Sequence, residues 1–320
     1  MNTDETQSTT TGSIGTEIVY NPDATQSRWM TRIRTSLEKL KIGEMTLISS
    51  HNAGMDNKAY NTVTKNWTAC QSDGFQWQLD KGIRVFDLRL RQRGGWTGDQ
   101  GWDTLPGMPR RYSTYGFTCI HGPDYGRKLT DLLDTLIPFV KNNPDELVIL
   151  DIHKVEAEDP GTCASELRRR LLQKVLGGRD GLAPFIIPPE AWSLTWGEIK
   201  QKYPGRSVVV GWNHGNKYSE FWSQIPHKWI GKDTNNEAEV HQFIGPVIAA
   251  APTNGQVWSL SATVFKIPNG PKKIGKTLDS WFPAGSVWAS KCNIINVDFF
   301  ETSNLIEHAI QTNIKKAQQK

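Results

Sequence analysis

The stretch that decides the fold reads Leu129-Thr-Asp-Leu-Leu-Asp-Thr-Leu-Ile-Pro-Phe-Val140-Lys-Asn-Asn-Pro144-Asp-Glu-Leu147-Val-Ile-Leu-Asp-Ile152. Its first half repeats apolar residues at helical spacing, which predicts a helix over 129–140 with one apolar face. Pro144 favours an end to that helix, because the residue before a proline avoids the α conformation. The second half is a near-continuous apolar run, which is typical of a strand buried on both faces of a sheet.

The same alternation of strand and helix extends in both directions from this stretch. Further strands are predicted over 45–48, 83–90, 118–120, 207–210, 256–265 and 294–300. Further helices are predicted over 27–40, 73–80, 163–176, 196–202, 237–250 (with an interruption near Gly245-Pro246) and 305–317. This order indicates an α/β fold with a parallel sheet covered by helices. At 320 residues the chain suits an α/β barrel that forms one domain.

Charge, hydropathy and cysteine spacing exclude several classes of protein. The net charge of +4 is small for this length and no dense Lys/Arg block occurs, so we expect no nucleic-acid partner. No apolar stretch approaches the roughly 20 residues of a membrane-spanning helix. The absence of a C-x-x-C pair disfavours a structural zinc site. The cysteines are either small buried residues or, after export, disulfide partners: Cys70, Cys119, Cys163 and Cys292.

Two histidines close short strand-like runs. His51 follows Met45-Thr-Leu-Ile-Ser-Ser, and His121 follows Phe117-Thr-Cys-Ile. In the strand between them, Asp87 and Arg89 are alternate residues and therefore share a face. Metal-free cleavage of a phosphodiester needs one imidazole that takes a proton, another that gives one, and a fixed cation for the phosphate. Strand ends at one face of a barrel are where such residues meet.

One strand later, Asp151 and His153 repeat the alternation, with Lys154 next to them. A buried salt-bridge network is the structural alternative for these charged residues. The remaining histidines carry no comparable signal and are interpreted as ordinary core or surface groups: His214, His227, His241 and His308.

Five motifs combine into a recognisable set. In chain order they are Ser50-His51-Asn52, Gly82-Ile-Arg-Val-Phe-Asp87-Leu-Arg89, His121-Gly122 with Leu129-Thr-Asp-Leu-Leu133, Asn143-Pro-Asp-Glu-Leu-Val-Ile-Leu150 and Ile295-Asn-Val-Asp298-Phe299. The set resembles the catalytic X-domain of phosphatidylinositol-specific phospholipases C, over about residues 27 to 155 and again over 290–300. This resemblance implies a distorted (β/α) barrel of the TIM type. We expect it to span 23–320 as a single domain, with 1–22 as a disordered or loosely attached tail.

The resemblance also implies a role for each marked residue. His51 would be the general base on the inositol 2-hydroxyl and His121 the general acid on the diacylglycerol oxygen. Asp298 would orient His51 from behind. Arg89, with Asp87 on the same face, would hold the phosphate. The first step would give a cyclic phosphodiester, which water would open after the histidines exchange roles.

Arg89 decides the expected cofactor. In the family, metal-dependent members place a carboxylate ligand for calcium at this position, and metal-independent members place an arginine there. We therefore expect no metal and no other cofactor, as in the bacterial metal-independent type. His153 likewise stands where another carboxylate ligand would be expected. Asn52 resembles the metal-dependent branch, so calcium is the alternative.

Residues that would bind the headgroup are less clearly marked. Family members hold inositol with an arginine and an aspartate on later strands, and 208–214 and 257–263 contain neither. Phosphatidylinositol is the leading substrate, with a glycan-bearing inositol lipid or another polyol phosphodiester as alternatives. The polar candidates for headgroup binding are Asn52, His153, Lys154, Asn213 and Ser261.

Aromatic residues interleaved with basic ones favour peripheral contact with a membrane, where the phospholipid substrate would lie. The main candidates are Trp212, Trp222 and Trp229, in a stretch that is equally interpretable as a packed loop, followed by Trp67, Trp96 and Trp102. We expect a monomer. The resemblance implies secretion, although the N-terminal segment lacks the features of a signal peptide, and a cytoplasmic location is the alternative.

Two rival functions follow from the same residues. One is a metal-dependent barrel phosphodiesterase for another glycerophosphodiester or a sphingolipid, in which Asp87, Asp151 and Asp298 would bind the metal. Arg89 argues against this function. The other is a lipid-binding barrel without catalysis, although both histidines, the arginine and the carboxylate are present.

Overall fold

Strands and helices alternate along the described part of the chain. The computed structural model describes residues 26–59, 64–93, 116–157, 160–173, 180–214 and 217–320. The strands are β1 Leu47–Ser50, β2 Val85–Arg93, β3 Gly116–His121, β4 Asp124–Lys128, β5 Val148–Glu156, β6 Val208–Trp212, β7 Trp222–Ser223, β8 His227–Lys228, β9 Ser259–Ser261, β10 Phe265–Lys266, β11 Gly270–Pro271 and β12 Ile294–Val297. The helices are α1 Trp29–Arg32, α2 Arg34–Leu37, α3 Lys65–Thr68, α4 Phe75–Asp80, α5 Leu129–Asn142, α6 Pro160–Leu172, α7 Trp196–Lys202, α8 Glu237–Ala249, α9 Gly275–Trp281, α10 Val287–Lys291 and α11 Leu305–Gln318.

Eight of the strands form one curled sheet in the order β7-β6-β5-β2-β1-β12-β9-β8. Every neighbouring pair in this order is parallel. No ladder joins β7 to β8 within the described ranges, so the barrel is open between them. β3 and β4 extend the sheet antiparallel from the end of β2. The prediction of an α/β fold with a distorted (β/α) barrel is confirmed.

Several element boundaries differ from those predicted. The helix expected over 27–40 is two short helices that break at Ile33. α8 continues through Pro246, because Ile244 and Ile248 are buried and packing holds the helix across the missing N–H. The strand expected over 256–265 is only β9, since the chain then leaves the sheet for the β10–β11 hairpin. The predicted tail at 1–22 and the long loop at 94–115 lie outside the described residues.

A buried ion pair closes the end of the barrel at which the strands begin. Arg84 and Glu146 are both fully buried, and Arg84 Nη2 lies 2.6 Å from Glu146 Oε2. The same carboxylate accepts the backbone N–H of Thr31 at 2.8 Å and that of Met30 at 3.3 Å. Glu146 therefore ties α1 to the strand ends and compensates the buried guanidinium.

All four cysteines are buried free thiols, in agreement with their interpretation as small core residues and not as disulfide partners. Burial raises the pKa of the Cys119 and Cys292 thiols to about 12. Among the described helices, none combines the length and the apolar character that crossing a bilayer requires.

Candidate active site

A pocket of about 490 Å³ opens at the carboxyl ends of the barrel strands, in the size range of small-molecule sites. Residues that lie within or after β1, β2, β3, β5, β8, β9 and β10 line it. They are His51, Arg89, His121, His153, His227, Trp229, Lys232, Asp233, Thr234, Ser261, Thr263 and Phe265.

The pairing of β1 with β12 places His51 beside Asp298. Ser50 pairs with Val297, so that His51 and Asp298 are the next residues on adjacent strands. His51 Nδ1 lies 2.7 Å from Asp298 Oδ1, and both side chains are buried. A carboxylate at this distance holds the proton on Nδ1 and leaves Nε2 of His51 as the nitrogen that faces the pocket.

The backbone turns sharply after each member of this pair. Asn52 and Phe299 both have φ of 45°, in the left-handed region. Asparagine adopts this conformation readily, but for phenylalanine it is uncommon and strained. Such strain persists where the surrounding structure over-determines the backbone, which is frequent at functional sites.

Arg89 and Asp87 complete the arrangement around His51. Arg89 Nη2 lies 3.1 Å from His51 Nε2 and 3.7 Å from Asp87 Oδ2. Asp87 is buried and also accepts a hydrogen bond of 3.0 Å from Asn296 Nδ2. Burial opposes ionisation of Asp87, but Arg89 and His51 outweigh it and hold the pKa of this carboxyl well below its usual range. Asp87 is therefore an anionic anchor for the guanidinium.

His121 faces His51 across the pocket from β3. Their ring centroids are 6.3 Å apart and the rings are close to perpendicular. His121 Nδ1 donates to the Thr68 carbonyl at 2.9 Å, which leaves Nε2 for a ligand. Burial lowers the pKa of His121 below the ordinary histidine value, despite the Thr68 hydrogen bond, which raises it. The structure thus brings the predicted residues His51, Arg89 and His121 together at one pocket, with Asp87 and Asp298 buried behind them.

The sequence interpretation missed His227, which lies beside His153 and Asp151. His227 Nε2 is 2.6 Å from Asp151 Oδ2, and the His153 and His227 rings are 4.0 Å apart. Burial lowers the pKa of His153 to about 4. Burial also acts to lower the pKa of His227, but the hydrogen bond with Asp151 outweighs it and raises the pKa overall. β8 is two residues long, so no periodicity could reveal that His227 points into the barrel.

Of the five predicted headgroup residues, all of which the structure describes, only His153 and Ser261 line the pocket. Asn52 is buried and its amide nitrogen is 3.6 Å from Cys70 Sγ. Asn213 donates instead to the His153 carbonyl at 2.8 Å. Lys154 is exposed and pairs with Glu156 at 2.7 Å. The ladder between β2 and β5 shifts register at this point, so Arg89 pairs with Lys154 and His153 has no partner on β2.

Two of the three predicted membrane contacts are wrong. Trp212 and Trp222 are 6% and 7% exposed, because they belong to the core rather than to a surface loop. Trp212 packs against Phe221, and Trp222 Nε1 donates to the Ile187 carbonyl at 2.9 Å. Trp229 is 51% exposed at the pocket mouth. Trp96 and Trp102 lie outside the described residues.

Comparison with known proteins supports the motif-based resemblance. No protein-family model matches the chain. PI-PLC X domain-containing protein 2 of Mus musculus is 23% identical over 247 residues, which are 68% of this chain and 64% of that protein. The matched region thus covers less than two thirds of the mouse relative.

Solved structures share the fold over nearly the whole chain. The phosphatidylinositol-specific phospholipase C of Listeria monocytogenes is 15% identical, with a TM-score of 0.60, over 90% of this chain and 98% of that one. The Staphylococcus aureus enzyme is 14% identical, with a TM-score of 0.59 and the same coverage. The resemblance to the X-domain family of phosphatidylinositol-specific phospholipases C is confirmed. The open barrel thus shares the fold of these solved phospholipases C, and the pocket lies where its parallel strands end.

Proposed function

We propose that this chain is a phospholipase C that cleaves phosphatidylinositol to diacylglycerol and a cyclic inositol phosphate. The observation that carries the proposal is the His51–Asp298 hydrogen bond of 2.7 Å, with Arg89 against the other nitrogen of His51 and His121 across the same pocket. Each group that metal-free phosphodiester cleavage requires is present within one cavity.

In the proposed first step, His51 Nε2 takes the proton of the inositol 2-hydroxyl and the hydroxyl oxygen attacks phosphorus. The bond between phosphorus and the diacylglycerol oxygen breaks, and protonated His121 gives its Nε2 proton to that oxygen. Arg89 leaves His51 Nε2 to bind the phosphate oxygens, since its planar fork matches them better than it matches an imidazole. Asp298 stabilises the imidazolium that forms on His51.

In the proposed second step, water opens the cyclic phosphate. Neutral His121 takes a proton from the water and protonated His51 returns one to the inositol oxygen. The product is an inositol monophosphate, and both histidines recover their starting states. The buried position of His121 favours its neutral form, which suits the role of base in this step.

We propose that this reaction needs no metal ion, and the donor set supports that proposal. Calcium takes six to eight oxygen ligands. Around the reacting groups the pocket instead presents the Arg89 guanidinium and the His51, His121 and His153 imidazoles. The guanidinium would repel a cation placed beside it, and its nearest carboxylate, Asp87, is already engaged by Asn296.

Phosphatidylinositol is the proposed substrate because the proteins of this fold compared above carry that specificity in their names. The polar side of the pocket supports a polyol headgroup. His153, His227, Ser261 and Thr263 line it and offer donors and acceptors for hydroxyl groups. They would stand in for the arginine and aspartate expected on later strands, which the chain lacks.

An exposed apolar rim at the pocket mouth supports action at a membrane surface. Trp229 is 51% exposed, and the segment after it pairs Thr234 with Phe265 of the β10–β11 hairpin. The turn of this hairpin exposes Ile267 by 64%, and β11 packs against α3, on which Trp67 is 44% exposed. Trp229 lines the pocket, and Ile267 and Trp67 lie on segments that adjoin Phe265, which also lines it, so an acyl chain of the substrate would leave the pocket on this side.

The decisive experiment is an assay of the purified full-length chain on phosphatidylinositol vesicles in excess chelator, followed by phosphorus NMR. We expect a cyclic inositol phosphate signal from the protein and none from His51→Ala. His241→Ala is the matched control, because His241 packs against Trp281 and Trp288 away from the pocket. Turnover that appears only with added calcium would contradict metal independence. Turnover in neither condition would contradict the substrate assignment.

A further inference from the structure

A second cluster of potential ligands lies on the headgroup side of the pocket, and none of its members transfers a proton in the proposed reaction. Asp151, His153 and His227 each present a coordinating atom, and these atoms all lie within 4.8 Å of one another. We infer that Asp151, His153 and His227 form a binding site for a divalent transition cation of the zinc class. This inference goes beyond the proposed function, in which His153 and His227 bind headgroup hydroxyls but take no part in proton transfer.

The geometry of the three residues is close to that of a metal site. Ligand atoms that lie about 2.0–2.2 Å from one ion are at most about 4.4 Å from each other. The observed set therefore needs only a small inward shift of its side chains. The Asp151–His227 contact of 2.6 Å would open slightly as both atoms turned to the ion.

One ring nitrogen of the cluster is buried without a hydrogen-bond partner among the described residues. His153 Nδ1 is inaccessible to solvent and has no hydrogen-bond partner among the residues that the structure describes. A buried polar atom without a partner costs about 1–3 kcal/mol. The ring itself is held in place, because it stacks at 4.0 Å on His227 and its backbone carbonyl accepts from Asn213. A fixed imidazole with an uncompensated ring nitrogen suits a metal ligand.

The local charge also favours a cation at this side of the pocket. Asp151 is buried, and Asp87 lies on the neighbouring strand, directly opposite it in the ladder. Arg89 acts on all three cluster residues, and Asp87 acts against it on each of them. With both imidazoles neutral, as metal coordination requires, the two carboxylates face this guanidinium and the balance is negative.

The chemistry of the donors selects the class of ion. Two imidazoles and one carboxylate suit zinc, whereas calcium prefers oxygen ligands alone. Three protein ligands leave a coordination position for water or substrate. Since His153 and His227 line the pocket, that position would face the cavity that also contains His51 and His121.

Zinc binding to the chelator-stripped full-length chain tests the inference directly, by isothermal titration with Zn²⁺ and by the visible spectrum of bound Co²⁺. We expect a single Zn²⁺ per chain that excess Ca²⁺ does not displace. His153→Ala and His227→Ala should each weaken binding by more than about 10–100-fold, the loss typical of removing even an outer partner of a ligand. Circular dichroism of each variant shows whether it is folded.

Two controls make the result specific. His241→Ala removes a histidine outside the pocket and should bind Zn²⁺ like the parent chain. Cys70→Ala tests the rival group of His51, Cys70 and Asp298, whose coordinating atoms are also close together. Loss of binding in Cys70→Ala with binding retained in His227→Ala would overturn the inference. Absence of Zn²⁺ binding in the parent chain would also overturn it, whether or not the chain cleaves phosphatidylinositol in chelator.

Discussion

His51 and Asp298 are separated by 247 positions in the chain, yet their side chains share a hydrogen bond of 2.7 Å because β1 and β12 are neighbours in the sheet. Within the described residues, the two positions that directly follow this pair are the only non-glycine residues with positive φ, at Asn52 and Phe299. The left-handed turns after both strands thus accompany the pair that the proposed reaction depends on most.

The first prediction concerns the carboxylate of this pair. Asp298→Asn should lower kcat by about 10²–10⁴ for two reasons. The amide can hold His51 in the tautomer with its proton on Nε2, which then cannot accept a proton from the substrate. The neutral amide also no longer stabilises the imidazolium that forms on His51. The melting temperature should change little, since the substitution conserves volume. Steady-state kinetics with a thermal melt checks both. A variant that retained its rate would show that Asp298 does not act on the base.

The second prediction concerns Arg89. Arg89→Lys should lower kcat by about 10²–10³, because an ammonium cannot bind two phosphate oxygens in the planar geometry of a guanidinium. The positive charge beside buried Asp87 remains, so the free energy of unfolding should stay close to that of the parent chain. Kinetics together with urea denaturation separates the two effects. A variant as active as the parent would contradict the proposal that Arg89 binds the phosphate.

The barrel and the residues of the proposed reaction were predictable because they lie in local patterns. His51 follows an apolar strand, Arg89 lies within the next one and His121 ends a third, and these strands are neighbours in the sheet although β3 is antiparallel. Asp298 was predictable only through the motif Ile295-Asn-Val-Asp-Phe, since its partner is far away in the chain. Patterns of this kind carry information wherever a strand is long enough to show alternation.

The failures occur where tertiary contacts override such patterns. His227 lies on a two-residue strand, and only its pairing with Ser259 of β9 brings it into the barrel. Lys154 follows an irregularity in the β2–β5 ladder and pairs with Glu156 instead of lining the pocket. Trp212 and Trp222 lie in a stretch whose composition resembles that of a membrane-contacting loop, but both are core residues. Trp212 packs against Tyr218 and Phe221, and Trp222 Nε1 donates to the Ile187 carbonyl.

The third prediction concerns pH. Burial lowers the pKa of His121 below the ordinary value near 6.5, and the proposed first step requires its protonated form. The fraction of competent enzyme therefore falls as pH rises through this lowered pKa, so the alkaline limb of kcat/KM should lie below about pH 6.5. With an inositol aryl phosphate as substrate, the phenolate leaves without needing a proton, so the fall of kcat/KM at alkaline pH should be smaller. An identical limb in His121→Ala would show that another group produces it.

The fourth prediction concerns membrane contact. Trp229→Ala should lower the affinity for phosphatidylinositol vesicles about tenfold, because burial of a large apolar side chain contributes about 1.5–3 kcal/mol and 1.4 kcal/mol corresponds to a factor of ten. Trp192→Ala is the matched control. Trp192 is 46% exposed and lies close in sequence to Thr195, which forms a bridge with Lys41 ahead of β1, at the end of the barrel where the strands begin. Equal losses in both variants in a sedimentation assay would contradict a rim specific to the pocket mouth.

The fifth prediction concerns stability at the end of the barrel remote from the pocket. Glu146→Gln should lower the free energy of unfolding by about 3–5 kcal/mol, because it leaves the fully buried guanidinium of Arg84 without its counter-charge. Lys272→Ala is the control, since it breaks a half-exposed ion pair with Glu237 and should cost about 0–1 kcal/mol. Urea denaturation gives both values. At temperatures where Glu146→Gln stays folded, its kcat should equal that of the parent chain, because Glu146 binds α1 and the strand ends and lines no part of the pocket. A loss of kcat there, without unfolding, would show that the two ends of the barrel are coupled.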